Sequence, residues 1–219
     1  MNHLKYSTAL RFKFLKISVA IDLSYWIFLL LVISSIGSEY IEILLWSSVF
    51  TLSILVHEYG HALMARFFHA APNIVLQAFG GTTHFNAADL TSKQKFLITL
   101  AGPFFQGLLT LTAYLLLKFN IFNSYLLKYL LFITTYINSR WLLLNLIPIA
   151  PLDGGWLLRY ILEKFFGHKG YLASIIIGLV TAAIAIPFLY LQGYHWFLIM
   201  QLFIAGWHYC KLWQQARKW

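Results

Sequence analysis

The chain has 219 residues, of which 60% are hydrophobic and only 11% are charged. This balance excludes a soluble globular protein, because a domain of this size does not bury so much apolar surface, and it indicates several membrane-spanning segments. The net charge of +9 would fit a nucleic-acid-binding protein, but the basic residues lie at the ends of the apolar segments, so no nucleic-acid partner is predicted.

Six apolar segments reach the roughly 20 residues needed to cross a bilayer. Little sequence lies outside them, so residues 1–219 are predicted to form a single integral-membrane domain. We expect an all-α polytopic membrane protein with about six transmembrane helices, surrounded by lipid. The predicted spans are 17–36, 41–67, 96–117, 126–149, 171–191 and 194–212.

The Lys and Arg residues predict the orientation of these spans. If the N-terminus is cytoplasmic, only Lys118 and Lys128 of the 16 Lys and Arg residues lie outside, and Arg140 lies within the fourth span. Cytoplasmic segments carry an excess of basic residues in membrane proteins. The chain is therefore predicted to be a multi-pass protein of the cell membrane with both termini in the cytoplasm.

The second predicted span contains the run His57-Glu58-Tyr59-Gly60-His61. Two histidines four residues apart lie on one face of a helix and can bind one metal ion. Glu58 can reach a water on that metal without being a ligand, which suits a general base. Ionisable groups are expensive at membrane depth, so they indicate function. The set lies in the cytoplasmic half of its span, which predicts an active site towards the cytoplasm.

Two short β-prone runs flank Gly80 and Gly81 between the second and third spans and predict a membrane-associated β-hairpin. Exposed strand edges near a bilayer are tolerated only where protein or a water-filled cavity covers them. Such an edge can also accept a peptide strand from a partner. A plain re-entrant loop is the alternative interpretation.

The fourth span ends in a segment that is unable to continue as a regular helix, because residues 148–155 contain two prolines and two glycines. Catalytic zinc typically has three protein ligands, and Asp153 in this segment is the best candidate for the third. A helix-turn aspartate that binds backbone amides is the alternative. Asp22 is interpreted as a charge near the membrane interface. Asn145 could hold a substrate backbone or stabilise an oxyanion.

These motifs resemble the site-2 protease family of intramembrane zinc metalloproteases, and in particular its small prokaryotic members. The similarity covers a catalytic core of about residues 41–166, flanked by the remaining spans. The motifs occur in the family's order and spacing, and they are His57 to His61, Gly80-Gly81, Ala101-Gly102-Pro103, Asn145, Pro148 and Pro151 to Gly155.

The resemblance implies a role for each matching residue. One zinc ion per chain would be bound by His57, His61 and Asp153, and Glu58 would activate water. Asn145 and Pro151 would help to engage the substrate. The Gly80-Gly81 segment would pair with an unwound substrate strand.

The resemblance also implies a substrate class, which is membrane-anchored proteins cut within or near their transmembrane segment, as in regulated intramembrane proteolysis. Many relatives carry a PDZ or CBS domain, for which this chain has no room, so gating would come from the helices, the substrate or an unidentified regulatory membrane partner. Three alternatives remain. They are a polytopic transporter or channel, a non-catalytic membrane scaffold of the same fold, and another integral zinc protease such as a prenyl-peptide processing enzyme.

Overall fold

The computed structural model describes residues 10–33, 39–78 and 80–191, together with Gly206 and Tyr209. These residues form four strands and five helices. The strands are β1 (Leu10–Phe14), β2 (Ile17–Ile21), β3 (Asn73–Gln77) and β4 (Gly80–His84). The helices are α1 (Leu23–Ile33), α2 (Tyr40–Phe67), α3 (Ser92–Lys118), α4 (Tyr125–Asn145) and α5 (Asp153–Leu191).

The described residues belong to two compact units. The first contains the four strands, α1, α2, the part of α3 from Ala101 onward, and α4 as far as Leu142. The second contains the start of α3 up to Leu100, the last residues of α4 from Leu143, and α5. That residues 1–219 form a single domain stays a prediction.

Three stretches of helix within the described residues are long and apolar enough to cross a membrane: Tyr40–Phe67, Ser92–Lys118 and Asp153–Ala185. They coincide with the second predicted span, the third, and a region that includes most of the fifth. Helix α4 covers most of the fourth predicted span but is not one of these three. The sixth predicted span, 194–212, lies outside the described residues apart from Gly206 and Tyr209. A mostly helical membrane protein is therefore confirmed, and six transmembrane helices are not.

The prediction of a transmembrane helix over residues 17–36 is wrong. Residues Ile17–Ile21 form β2, and α1 has 11 residues, which is well short of the roughly 20 needed for a spanning helix. The alternation of buried Ile17, Val19 and Ile21 with less buried residues is the period of two expected of a strand. β-Branched residues such as these favour strands over helices.

Residues 15 and 40 nevertheless lie at opposite ends of α2. Tyr59 donates its hydroxyl to Phe14 O at 3.2 Å, and Arg66 donates to Leu15 O, so residues 14–15 lie beside the C-terminal part of α2. Helix α2 begins at Tyr40 and has 28 residues, which corresponds to a length of about 42 Å. The chain therefore passes along α2 between residues 15 and 40, and the described part of that passage is a strand followed by a short helix.

The predicted hairpin is present and forms part of a larger sheet. β3 and β4 pair antiparallel, with Gln77 opposite Gly80 and Asn73 opposite His84. β2 pairs parallel with β3 and antiparallel with β1, which gives the order β1-β2-β3-β4. Gly80 has φ 133°, a conformation that residues with a side chain rarely adopt. β4 is an edge strand of this sheet, and β3 is its only neighbour among the described strands.

Asp22 closes the start of α1 and has no role in the candidate site. Its Oδ1 accepts hydrogen bonds from the Ser24 hydroxyl at 2.6 Å and the Ser24 backbone N–H at 2.9 Å. These two hydrogen bonds hold the pKa of Asp22 below its ordinary value. The Asp22 N–H donates to Leu76 O at 2.8 Å, which ties the end of β2 to β3.

Each unit has its own hydrophobic core. In the first unit, β2, β3, α1 and α2 contribute the buried residues Ile17, Val19, Ile21, Tyr25, Leu29, Ile54, Ala62, Ile74 and Leu76. In the second, Ala150, Tyr171, Ile175 and Tyr209 pack together. The helical direction in α5 is interrupted at Gly167, which has φ 56° and ψ −135°. This break precedes the predicted span 171–191.

Candidate active site

The two histidines of α2 point their Nε2 atoms at each other. His57 and His61 are one helical turn apart and are 4% and 8% exposed. The distance between His57 Nε2 and His61 Nε2 is 3.1 Å. Two nitrogens bound to one tetrahedral zinc at 2.0–2.1 Å would be about 3.3 Å apart. The pair therefore has the convergence that two ligands of one metal ion require.

Helix α3 contacts this pair at Gly102. A Cβ atom at Gly102 would overlap the His61 imidazole and lie 2.8 Å from His61 Cδ2. In the same region, a Cβ at Gly60 would lie 2.5 Å from Ala101 O. The small residues Ala101 and Gly102 therefore allow α2 and α3 to approach closely. Pro103 lies inside α3, which continues through it.

Glu58 is held against the edge strand β4. It is 4% exposed, and the Thr83 hydroxyl lies 2.7 Å from Glu58 Oε2 and 3.0 Å from Glu58 O. A Cβ at Gly81 would lie 2.7 Å from Glu58 Cδ and 2.8 Å from Glu58 Oε1. The absence of a side chain at Gly81 is therefore what allows β4 to pass beside the Glu58 carboxylate.

Three buried polar side chains, Gln106, Asn138 and Ser53, form a hydrogen-bonded series that ends at His57 Nδ1. His57 Nδ1 lies 3.1 Å from Gln106 Oε1 of α3. Gln106 Nε2 donates to Asn138 Oδ1 of α4 at 3.3 Å. Asn138 Nδ2 in turn donates to Ser53 Oγ of α2 and to Thr134 O of α4, at 2.8 Å each. Ligating histidines usually have such a partner on the ring nitrogen that does not bind the metal.

Asp153 is the first residue of α5, immediately after the break that follows α4. The break fits the sequence prediction, because α4 ends at Asn145 and the two prolines and two glycines follow. A Cβ at Gly154 would overlap the carbonyl oxygen of Leu146, and one at Gly155 would lie 2.8 Å from Ala150 Cα. The two glycines therefore let the connecting segment fold tightly onto the start of α5.

Together with His57 and His61, Asp153 belongs to a group of side chains that could hold a metal ion. Two ring nitrogens and one carboxylate oxygen form a donor set that suits zinc and leaves a fourth position open. The residues therefore fit the metal that the sequence predicts, as a candidate metal site. Their roles as ligands stay predictions, as does the role of Glu58 as a base.

The other predicted site residues are placed as follows. Asn145 is the last residue of α4 and is buried, and Pro151 is half-buried two residues before Asp153. Gly80 is buried and begins β4 beside Trp141, with 3.1 Å between a Cβ at this position and Trp141 Cζ2. That these residues bind a substrate stays a prediction.

Gln106, Asn138 and Thr83 were not predicted from the sequence as site residues. A signal was present for the first two, because each is an amide side chain inside an otherwise apolar segment, where polar groups are usually buried and paired. Thr83 had no such signal. It is one of two adjacent threonines, and only the sheet register determines which of them faces Glu58.

Comparisons with known proteins give one family match, two curated relatives and a similar solved structure. Residues 120–188 match the model of Peptidase family M50. Stage IV sporulation protein FB of Bacillus subtilis (strain 168) is 33% identical over 115 residues, which are 52% of this chain and 38% of that protein. Zinc metalloprotease MJ0392 of Methanocaldococcus jannaschii is 30% identical over 165 residues, which are 72% of this chain and 46% of that protein.

The chain therefore spans less than half the length of these two curated relatives. Among solved structures, a site-2 protease from Methanocaldococcus jannaschii aligns with a TM-score of 0.63 and 25% sequence identity. The alignment covers 95% of each chain. The similarity of fold thus extends beyond the region that matches the family model.

Proposed function

We propose that this chain is an intramembrane zinc metalloendopeptidase, since residues 120–188 match the model of Peptidase family M50 and the fold is similar to that of a site-2 protease. Its substrates would be membrane-anchored proteins, cut within or near a transmembrane segment in regulated intramembrane proteolysis. The observation that carries the proposal is a candidate metal-binding group made of His57 and His61 of α2 and Asp153 of α5. Glu58 follows His57 directly on α2. Neither a transporter nor a scaffold requires this combination.

We assign the metal to these three residues, with one zinc per chain. When bound, zinc supplies Lewis acidity that activates water and polarises a carbonyl group. The protein's own contribution is to hold the ligands. The short distance between the histidine Nε2 atoms and the burial of both rings support this assignment, because a buried pair of converging imidazoles has little purpose in an apolar helix otherwise.

Glu58 is the proposed general base and general acid of the reaction. The Thr83 hydroxyl engages Oε2, so Oε1 is the oxygen that takes a proton from the attacking water and returns it to the leaving amine. General acid–base catalysis of this kind contributes about 10²–10⁴-fold to a rate. Asn145 would help to hold the substrate backbone or the oxyanion, and Pro151 would contact the substrate.

The edge strand β4 receives the substrate. A transmembrane helix must unwind before its peptide bonds can be cleaved, and an extended segment can then add to an open sheet edge. Gly81 and Thr83 of β4 lie beside Glu58, so a strand added there would run past the carboxylate. This arrangement supports substrate pairing at the Gly80-Gly81 end of β4.

The proposal is tested by cleavage of a single-span reporter protein in proteoliposomes, with wild type compared with Glu58→Gln. We expect cleavage by wild type, a loss of at least about 100-fold in Glu58→Gln, and unchanged zinc in the variant by elemental analysis. Asp153→Ala should lose zinc as well as activity. A wild-type protein without zinc, or a Glu58→Gln variant that still cleaves, would refute the proposal.

A further inference from the structure

The polar side chains behind His57 are buried completely enough to restrict which atoms donate and which accept. Gln106 and Asn138 are 0% exposed and Ser53 is 2% exposed. They come from α3, α4 and α2, so no single helix contains the arrangement. Buried polar groups are costly unless they are hydrogen-bonded. The direction of each hydrogen bond in this series is therefore determined by the two groups that bind Asn138 at its far end, the Ser53 hydroxyl and Thr134 O.

The direction is set at Asn138. Its Nδ2 lies 2.8 Å from Thr134 O, a backbone carbonyl that only accepts. Ser53 donates its single hydroxyl proton to Val49 O at 2.7 Å, so its oxygen accepts from Asn138 Nδ2. Both protons of the Asn138 amide are thereby used, and Asn138 Oδ1 is left to face α3.

Gln106 links the oriented amide of Asn138 to His57 on α2. Asn138 Oδ1 accepts from Gln106 Nε2, so Gln106 Oε1 is turned towards His57 Nδ1 at 3.1 Å. An amide oxygen accepts and does not donate. His57 Nδ1 therefore carries the proton, and the lone pair of the ring is on Nε2, the atom that faces His61 Nε2.

We propose that Gln106 and Asn138 are positioning residues that hold His57 in its Nδ1-protonated form, with the polarity set by Thr134 O and the Ser53 hydroxyl. This inference rests on the proposed function, since a metal ligand at Nε2 needs its lone pair there. The other neutral tautomer would present an N–H group to the metal position. Helix α4, which supplies neither histidine, thus helps to determine which nitrogen of His57 can bind the metal.

The first test reads the tautomer directly. Nitrogen chemical shifts and long-range couplings of ¹⁵N-histidine distinguish the two neutral forms, and the His57 signals are assigned by their loss in His57→Asn. We expect the Nδ1-protonated pattern in the purified full-length protein, both before and after treatment with a chelator. Gln106→Met and Asn138→Leu keep side-chain volume but remove the directed hydrogen bonds, and both should give a mixed or Nε2-protonated pattern after chelation.

The second test measures zinc affinity by competition with a chelator. Loss of an outer partner of a metal ligand typically costs 10–100-fold in metal affinity, so we expect a rise of about 10-fold or more in the zinc Kd for Gln106→Met and Asn138→Leu. Ser53→Ala should raise it less than Asn138→Leu does, because Thr134 O still orients Asn138. Thr135→Val is the matched control, since Thr135 lies on α4 and its hydroxyl donates to Leu131 O of its own helix at 2.8 Å.

The results separate this inference from the proposed function. If one single variant does not fold, the double variant Gln106→Met/Asn138→Leu replaces it, because removal of both partners leaves fewer buried groups unsatisfied. Variants that keep the wild-type tautomer, or a zinc Kd within about twofold of Thr135→Val, would overturn the inference. A wild type that binds no zinc would instead overturn the proposed function, and the tautomer pattern would still decide the protonation of His57.

Discussion

At the scale of single residues, the candidate site depends on two glycines whose missing side chains leave space for site residues. Gly102 leaves space for the His61 ring, and Gly81 leaves space for the Glu58 carboxylate. In both places the neighbouring backbone belongs to another element, α3 or β4, and a side chain there would push that element away from α2. The two glycines therefore set the distance at which the site is assembled.

We predict that Gly102→Ala lowers zinc content and cleavage activity, each by at least about 10-fold, because the new methyl group overlaps the His61 imidazole. Gly107→Ala is the matched control on the same helix, since its Cβ would lie 3.6 Å from Leu142 Cδ2, an ordinary contact. Zinc per chain and reporter cleavage are measured on both variants. Equal zinc content in the two would show that the His61 contact is not needed for binding.

Gly81→Ala should have a different effect. Its Cβ would displace Glu58 and not a histidine, so we expect zinc to be retained and kcat to fall by about 100-fold, the cost of misplacing a catalytic group by about 1 Å. Thr82→Val serves as a control, because successive strand residues face opposite sides of the sheet. The idea fails if Gly81→Ala cleaves the reporter as fast as Thr82→Val does.

At the scale of elements, the sheet joins the N-terminal part of the described chain to α2, the helix that carries Glu58. β2 lies between β1 and β3, and the turn into α1 is bonded to β3 through Asp22 N and Leu76 O. The backbone N–H of Ala78 also donates to Ser24 Oγ at 3.0 Å. Through these bonds the start of α1 helps to hold the β3–β4 hairpin and, with it, the strand that faces Glu58.

Asp22→Ala should therefore lower the free energy of unfolding by about 1 kcal/mol, the usual cost of losing such a cap at a helix start. Asp22→Asn, which retains an acceptor for Ser24, should cost less. Denaturant titration of the purified protein in mild detergent measures both. A free energy for Asp22→Ala indistinguishable from that of wild type would show that the cap does not support the fold.

The same carboxylate gives a pH dependence whose sign is fixed. Its pKa is lowered in the folded protein by the Ser24 hydroxyl and N–H, so its contribution is complete above the unfolded value of about 3.9 and is lost as the pH falls through the lower folded value. The stability difference between wild type and Asp22→Asn should be constant from about pH 5 to 7 and shrink below about pH 4. A difference that grows on acidification would contradict this assignment.

At the scale of the whole molecule, the distribution of Lys and Arg residues predicts how the chain is oriented in the bilayer. The excess of Lys and Arg on one side of the predicted spans predicts that both termini and the candidate active site lie towards the cytoplasm. The first predicted span does not form a long helix, but the chain still passes along α2 between residues 15 and 40. The orientation argued from charge is therefore compatible with a strand and a short helix in place of that span.

Orientation is tested with single cysteines in a Cys210→Ser background, which removes the only natural cysteine. Ala88 precedes α3 and Ser124 follows it, and both are exposed. We expect a membrane-impermeant thiol reagent to label Ser124→Cys in intact cells and Ala88→Cys only after permeabilisation. The reverse pattern would invert the topology, and labelling of both in intact cells would mean that α3 does not cross the membrane.

The sequence alone determined the features that depend on neighbours along the chain. The spacing of His57 and His61 follows from the 3.6-residue helical period, the hairpin from a pair of glycines between β-prone runs, and the end of α4 from prolines that lack a backbone N–H. Each of these signals acts over a few residues, so no knowledge of the fold was required. They were sufficient to select the family that the sequence resembles.

Only the tertiary structure decided the rest, because the partners are far apart in sequence. Residues 17–21 form a strand since they pair with β3, more than 50 residues later, and that pairing outweighs their apolar character as a helix. Gln106 of α3 contacts His57 of α2, and Asn138 of α4 contacts Gln106. Thr83 reaches Glu58 through the sheet register. Contacts of this kind depend on how helices and strands pack, which no local period or propensity encodes.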